Sequence, residues 1–154
     1  MNKALLAIGM AIALGAAVVG CGGGDDDSTG ATLTKAEFIA QADTICKDGE
    51  DALEQEADEF AEENDVDIEN PTEAQQEEVI SDVVAPAVRQ QAEAIDGLGA
   101  PEGDEETVEA IVAAVESGAD ELESDPKLLL EGENPLGEGS ELAREYGLKE
   151  CGEE

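Results

Sequence analysis

The chain has 154 residues, with 41 Asp and Glu against seven Lys and Arg, no histidine, and a formal net charge of −34 at pH 7. That balance excludes nucleic acid as a partner, because phosphate binding needs clustered Lys and Arg, and it disfavours electrostatic docking onto anionic lipid. The lack of histidine removes most acid–base and triad chemistry and the usual zinc sites.

At the start, Met1-Asn2-Lys3 precedes an uninterrupted apolar stretch from Ala4 to Gly20, built only of Ala, Leu, Ile, Gly, Met and Val. This is the layout of a signal peptide. As a membrane span, such a stretch stands at the lower length limit for a hydrocarbon core of about 30 Å. It ends in Val18-Val19-Gly20-Cys21, which resembles the lipobox of bacterial lipoproteins, a small residue followed by an invariant Cys. The resemblance implies that the Cys21 thiol carries a diacylglyceryl group and that a peptidase cuts between Gly20 and Cys21. It also implies that membrane lipid, through acylated Cys21, holds the protein at the extracytoplasmic face of the cell membrane. Each buried methylene contributes about 0.8 kcal/mol, so two or more acyl chains hold firmly where one holds reversibly. No twin arginine is present near the start, so export is expected by the general secretory route.

The expected organisation is therefore a cleaved signal peptide (1–20), a lipidated Cys with a flexible acidic and Gly-rich tether (21–33), and a helical domain (34–154). Removing residues 1–20, which hold Lys3 and no acid, leaves 134 residues and moves the charge from −34 to −35. That length suits one modest domain with a single core. The tether has no apolar periodicity and reaches roughly 20 Å at about 5–6 Å × √n, so the domain can stand clear of the lipid.

Thr34-Lys35-Ala36-Glu37 reads as a capping box that starts a first helix. Phe38, Ala42, Ile45, Gly49, Leu53, Ala57 and Phe60 then recur at helical spacing. A second helix is expected from Asn70-Pro71-Thr72, with an apolar face running from Val79 to Leu98. Pro86 interrupts it and predicts a kink, or a break into two shorter helices. Asp104 is the expected cap of a third helix carrying Val108, Ile111, Val112, Val115, Ala119 and Leu122, which Asp125-Pro126 closes. A short helix is expected around Ser140 to Tyr146, stopped at Gly147 with Leu148 folded back onto Leu142. No strand pattern survives this comparison. The predicted fold is all-α, a small antiparallel three- to four-helix bundle with a flexible N-terminal tether and one disulfide.

The acidity admits three explanations: a solvated surface that keeps an exported protein soluble, adaptation to high salt, or weak divalent-cation binding. The best cation loop is Asp65-Val66-Asp67-Ile68-Glu69-Asn70, with oxygens at its first, third and fifth positions. It lacks the Gly at position six and the Glu at position twelve of an EF-hand, where Gln76 stands instead. It reads as a helix-ending loop, and Asp25-Asp26-Asp27 as a solvated spacer. No metal ligand and no cofactor are assigned.

After lipidation of Cys21 two cysteines remain, Cys46 and Cys151. An even pair in a small exported domain reads as a disulfide. The alternatives are free thiols or a nucleophilic Cys, the second lacking any histidine base. A bond between them closes a loop of about a hundred residues, worth up to roughly 4.7 kcal/mol in the chain-entropy model. It would offset repulsion between neighbouring acids such as Glu59 with Glu62 and Glu63.

Thr34 to Ile39 leading to Ala42-Asp43 and Ile45-Cys46, then Pro86, Leu98 with Pro101, Asp125-Pro126, and Tyr146-Gly147-Leu148 with Cys151, resemble a group of small exported lipoproteins of actinobacteria. The resemblance covers most of residues 34–151. It implies a helical fold and the cysteine pair, and brings no functional residues with it.

No catalytic residue is assigned. Paired carboxylates can hydrolyse glycosides, but among 41 acids a pair arises by chance, and only Phe38, Phe60 and Tyr146 can stack on sugar. The expected function is a non-catalytic interaction or accessory module of the cell envelope, with an envelope protein as partner and a groove near Pro86 as its contact site. The alternatives are a small-ligand or divalent-cation binding lipoprotein, and a structural or spacing lipoprotein without a defined ligand.

Overall fold

A computed structural model describes residues 32–67 and 69–152. Gly20, Cys21, Asp25-Asp26-Asp27 and most of the tether lie outside the described residues. All regular structure among the described residues is helical: α1 (Lys35–Glu63), α2 (Glu73–Val79), a π-helical turn (Ile80–Val84), α3 (Ala85–Asp96), α4 (Glu105–Ser124), α5 (Lys127–Leu130) and α6 (Gly137–Tyr146).

The start of α1 is the predicted capping box. The Thr34 hydroxyl accepts from the Glu37 backbone N–H at 3.3 Å, and the Glu37 carboxylate accepts from the Thr34 N–H at 3.0 Å, so two donors with no partner inside the helix are satisfied together. The helix buries Phe38, Ala42, Cys46 and Ala61. Ile45, Gly49, Leu53, Ala57 and Phe60, on its expected apolar face, are only half-buried.

A second capping box, Thr72 with Gln75, opens α2. Helical structure then continues without a gap to Asp96, so the interruption expected at Pro86 takes the form of a π-helical turn one turn earlier. Proline has no N–H to donate to the carbonyl of Asp82, and its ring would clash with that group. The Ala85 N–H instead bonds the Ile80 carbonyl, five residues back. This wider turn absorbs the extra ring within the helix. Pro86 falls in the first turn of α3, where a missing N–H does least harm.

Short links join α3 to α4 and α4 to the C-terminal helices, and α4 packs against both α3 and α6. α6 starts at Gly137, three residues before the expected Ser140. It stops at Gly147, as expected: Gly147 adopts φ 115°, its N–H bonds the Arg144 carbonyl, and the Leu148 N–H reaches the Ala143 carbonyl at 3.0 Å. That is a Schellman stop, and it turns Leu148 fully into the core.

The main core gathers Phe38, Ala42, Cys46, Ile95, Val108, Ile111, Tyr146 and Leu148. A smaller cluster around Ile80, Ala85 and Leu122, with Val84 and Leu136 against it, lies under the π turn. Close packing at α4 depends on two small residues. A Cβ on Gly118 would stand 2.5 Å from the Pro135 carbonyl oxygen, and one on Gly139 would stand 2.6 Å from a Val115 methyl. Among the described residues no helix is long and apolar enough to cross a membrane.

Candidate functional site

Of the residues singled out by sequence, Cys46 and Cys151 are brought together. They form a disulfide, with Cα atoms 5.2 Å apart across a sequence separation of 105. Cys46 is on the buried face of α1 and Cys151 follows the turn that ends α6, so the bond ties the first helix to the chain's last described segment. Asp43, one turn before Cys46, reinforces the tie. One of its carboxylate oxygens accepts the backbone N–H groups of Lys149 at 2.8 Å and Glu150 at 3.1 Å.

A second constellation joins α1, the start of α4 and the end of α6. The Tyr146 hydroxyl donates to Asp104 at 2.8 Å. Lys35 places its Nζ 3.7 Å from the same carboxylate and 3.7 Å from the centre of the Tyr146 ring, while Phe38 meets that ring edge-to-face at 6.0 Å. Ring and cation attract through the ring's quadrupole. Asp104 is therefore not the side-chain cap expected of it: it occupies the N-cap position of α4 without a capping hydrogen bond. Burial, then the hydrogen bond to Asp104 and that carboxylate's charge, push the Tyr146 phenol well above its ordinary value. The hydroxyl thus stays protonated at neutral pH and acts as a fixed donor, not a base.

The remaining cations are mostly engaged at the surface. Arg89 on α3 bridges to Asp120 at 2.7 Å and Glu123 at 2.6 Å on α4, and those bonds raise its pKa further. Lys127 lies 3.7 Å from Glu77, and Lys47 lies 3.4 Å from Asp51. Pairs of this kind at the surface contribute little, because water and salt screen them.

In the expected helix-ending loop, Asp65 takes a left-handed conformation at φ 54°. Asp67 bends its carboxylate onto the N–H groups of Glu69 and Asn70, as an Asx turn does. Among the described residues no group of three or more His, Cys, Asp or Glu is arranged to hold a metal ion.

Two of the concave sites among the described residues are walled in part by α1. One, of about 220 Å³, is walled by the disulfide, Val88, Ala92, Val112 and Ala143, with Glu50 and Glu150 also in its lining. The other, of about 320 Å³, lies between the C-terminal half of α1 and the α2–π segment. Pro86 is exposed and lines neither, whereas Val88, two residues on, lines the first and Val79 and Ile80 line the second. No protein-family model, no curated protein and no solved structure matches the chain.

Proposed function

We propose that the protein is an exported lipoprotein, anchored through Cys21, whose helical part serves as a non-catalytic interaction or accessory module of the cell envelope. The observation that carries this reading is the Cys46–Cys151 disulfide. It accounts for two of the three cysteines and leaves Cys21 alone at the end of the apolar leader. Paired thiols fit an oxidising compartment beyond the cytoplasmic membrane. The lipobox resemblance supplies the chemistry, a thioether-linked lipid at Cys21 and a cut after Gly20. We further propose that the main helices form a small antiparallel bundle, since short links between successive helices favour antiparallel neighbours.

Metabolic labelling with an alkyne-bearing fatty acid tests the anchor. The native protein should take the label, and Cys21→Ser should lose it and keep residues 1–20. Label persisting in Cys21→Ser, or missing from the native protein, would overturn the reading.

A further inference from the structure

We propose that the groove between the second half of α1 and the α2–π segment docks a basic amphipathic helix of an envelope protein. The proposal rests on the interaction-module reading and names the chemistry of its partner.

The floor of the groove is apolar, formed by Ala57, Ala61, Val66, Val79, Ile80 and Leu130. Leu130, 37% exposed, and Leu129, 39% exposed, are the exposed large hydrophobic residues of the described chain. On the α1 side Ala57, from the helix's apolar stripe, lines the groove and is only half-buried. Apolar side chains at i and i+4 on an incoming helix are what such a trough accepts.

Charge selects among occupants. Sixteen acids and no Lys or Arg lie between Asp48 and Val88, the segment that builds nearly all of the groove. Asp58 lines it, and Glu54 and Glu62, one turn to either side on α1, are exposed and share its helical row. Lys127, just before Leu130, is already paired with Glu77. A second copy of this chain would bring the same negative field and be repelled, and anionic lipid would be repelled likewise. A helix with an apolar stripe flanked by Lys or Arg satisfies both the floor and the rim.

The test is a titration of the full chain, held in non-ionic detergent, with a synthetic Lys/Leu amphipathic peptide. Two comparison peptides are used, one with Ser in place of Leu and one with Glu in place of Lys. The Lys/Leu peptide should bind with an affinity that falls as salt rises, and the other two should bind at least about tenfold more weakly, the worth of the lost apolar contacts or attraction. Leu130→Glu and Asp58→Lys, both at exposed positions, should each weaken binding at least about tenfold. Glu109→Lys, exposed on α4 outside the groove, should leave it unchanged. Equal binding of the Ser peptide, equal weakening by Glu109→Lys and Asp58→Lys, or native affinity in Leu130→Glu would overturn the proposal. None of these outcomes bears on lipid labelling at Cys21, so failure here and failure of the anchor remain distinguishable.

Discussion

Tyr146 shows how much one side chain can commit in a chain with so few aromatics. Its ring packs on Phe38, its face carries Lys35, and its hydroxyl reaches Asp104, 42 residues away in sequence. Because the phenol pKa is raised in the fold from an ordinary 10.0, the stability it contributes is full below about pH 10 and is lost as pH rises beyond it. Tyr146→Phe should cost about 1 kcal/mol at neutral pH, the net worth of the hydrogen bond. The same variant should lose less stability than the native chain between about pH 9 and pH 11. Urea unfolding across that range checks both, and parallel curves for the two proteins would refute the assignment. At this scale, what the sequence makes legible is local, the Thr34–Glu37 box and the Gly147 stop, with the cysteine pair as the exception because it follows from counting and not from neighbours. Asp104 and Asp43 are different. An exposed carboxylate can cap its own helix or bond a distant group, and only tertiary placement decides between Tyr146 and the Lys149–Glu150 backbone.

The start of α1 and the stop of α6 are legible because caps act within one turn. The start of α6 at Gly137 and the short α5, which have no side-chain cap, are not. How Pro86 would be accommodated is not legible either, since the choice between kink, break and π turn depends on whether neighbours hold the helix together. Here Ile80 and Ala85 on either side of the turn pack with Leu122, which favours a continuous helix carrying one wide turn. Gly118 illustrates the same dependence. In an isolated helix Gly→Ala gains about 1 kcal/mol. In α4 the new Cβ would meet the Pro135 carbonyl oxygen at 2.5 Å and a Leu136 methyl at 2.8 Å. Gly118→Ala should therefore destabilise by about 1–3 kcal/mol through overpacking, read as a lower melting temperature. A higher one would mean that the link before α6 is not pressed against α4.

For the molecule as a whole, helical periodicity revealed the all-α class. It did not reveal that the second half of α1 would remain half-covered, because a 3.6-residue period marks which face can be buried and not whether anything lies opposite. That half-covered face lies within a segment, Asp48 to Val88, that carries sixteen acids and no Lys or Arg. The core that remains is built largely of Ala, Val and Ile under a net charge of −34. The bond from Cys46 to Cys151 therefore matters more than it would in a larger domain. Closing about a hundred residues contributes up to roughly 4.7 kcal/mol, against the 5–15 kcal/mol or so that typical domains have in total. The account is tested most directly by intact-mass and peptide-mapping mass spectrometry of protein extracted from membranes and alkylated before reduction. It predicts a chain that begins at acylated Cys21, with Cys46 linked to Cys151 and no alkylated thiol. A chain still beginning at Met1 with alkylated Cys21, or alkylation at Cys46 and Cys151, would contradict it.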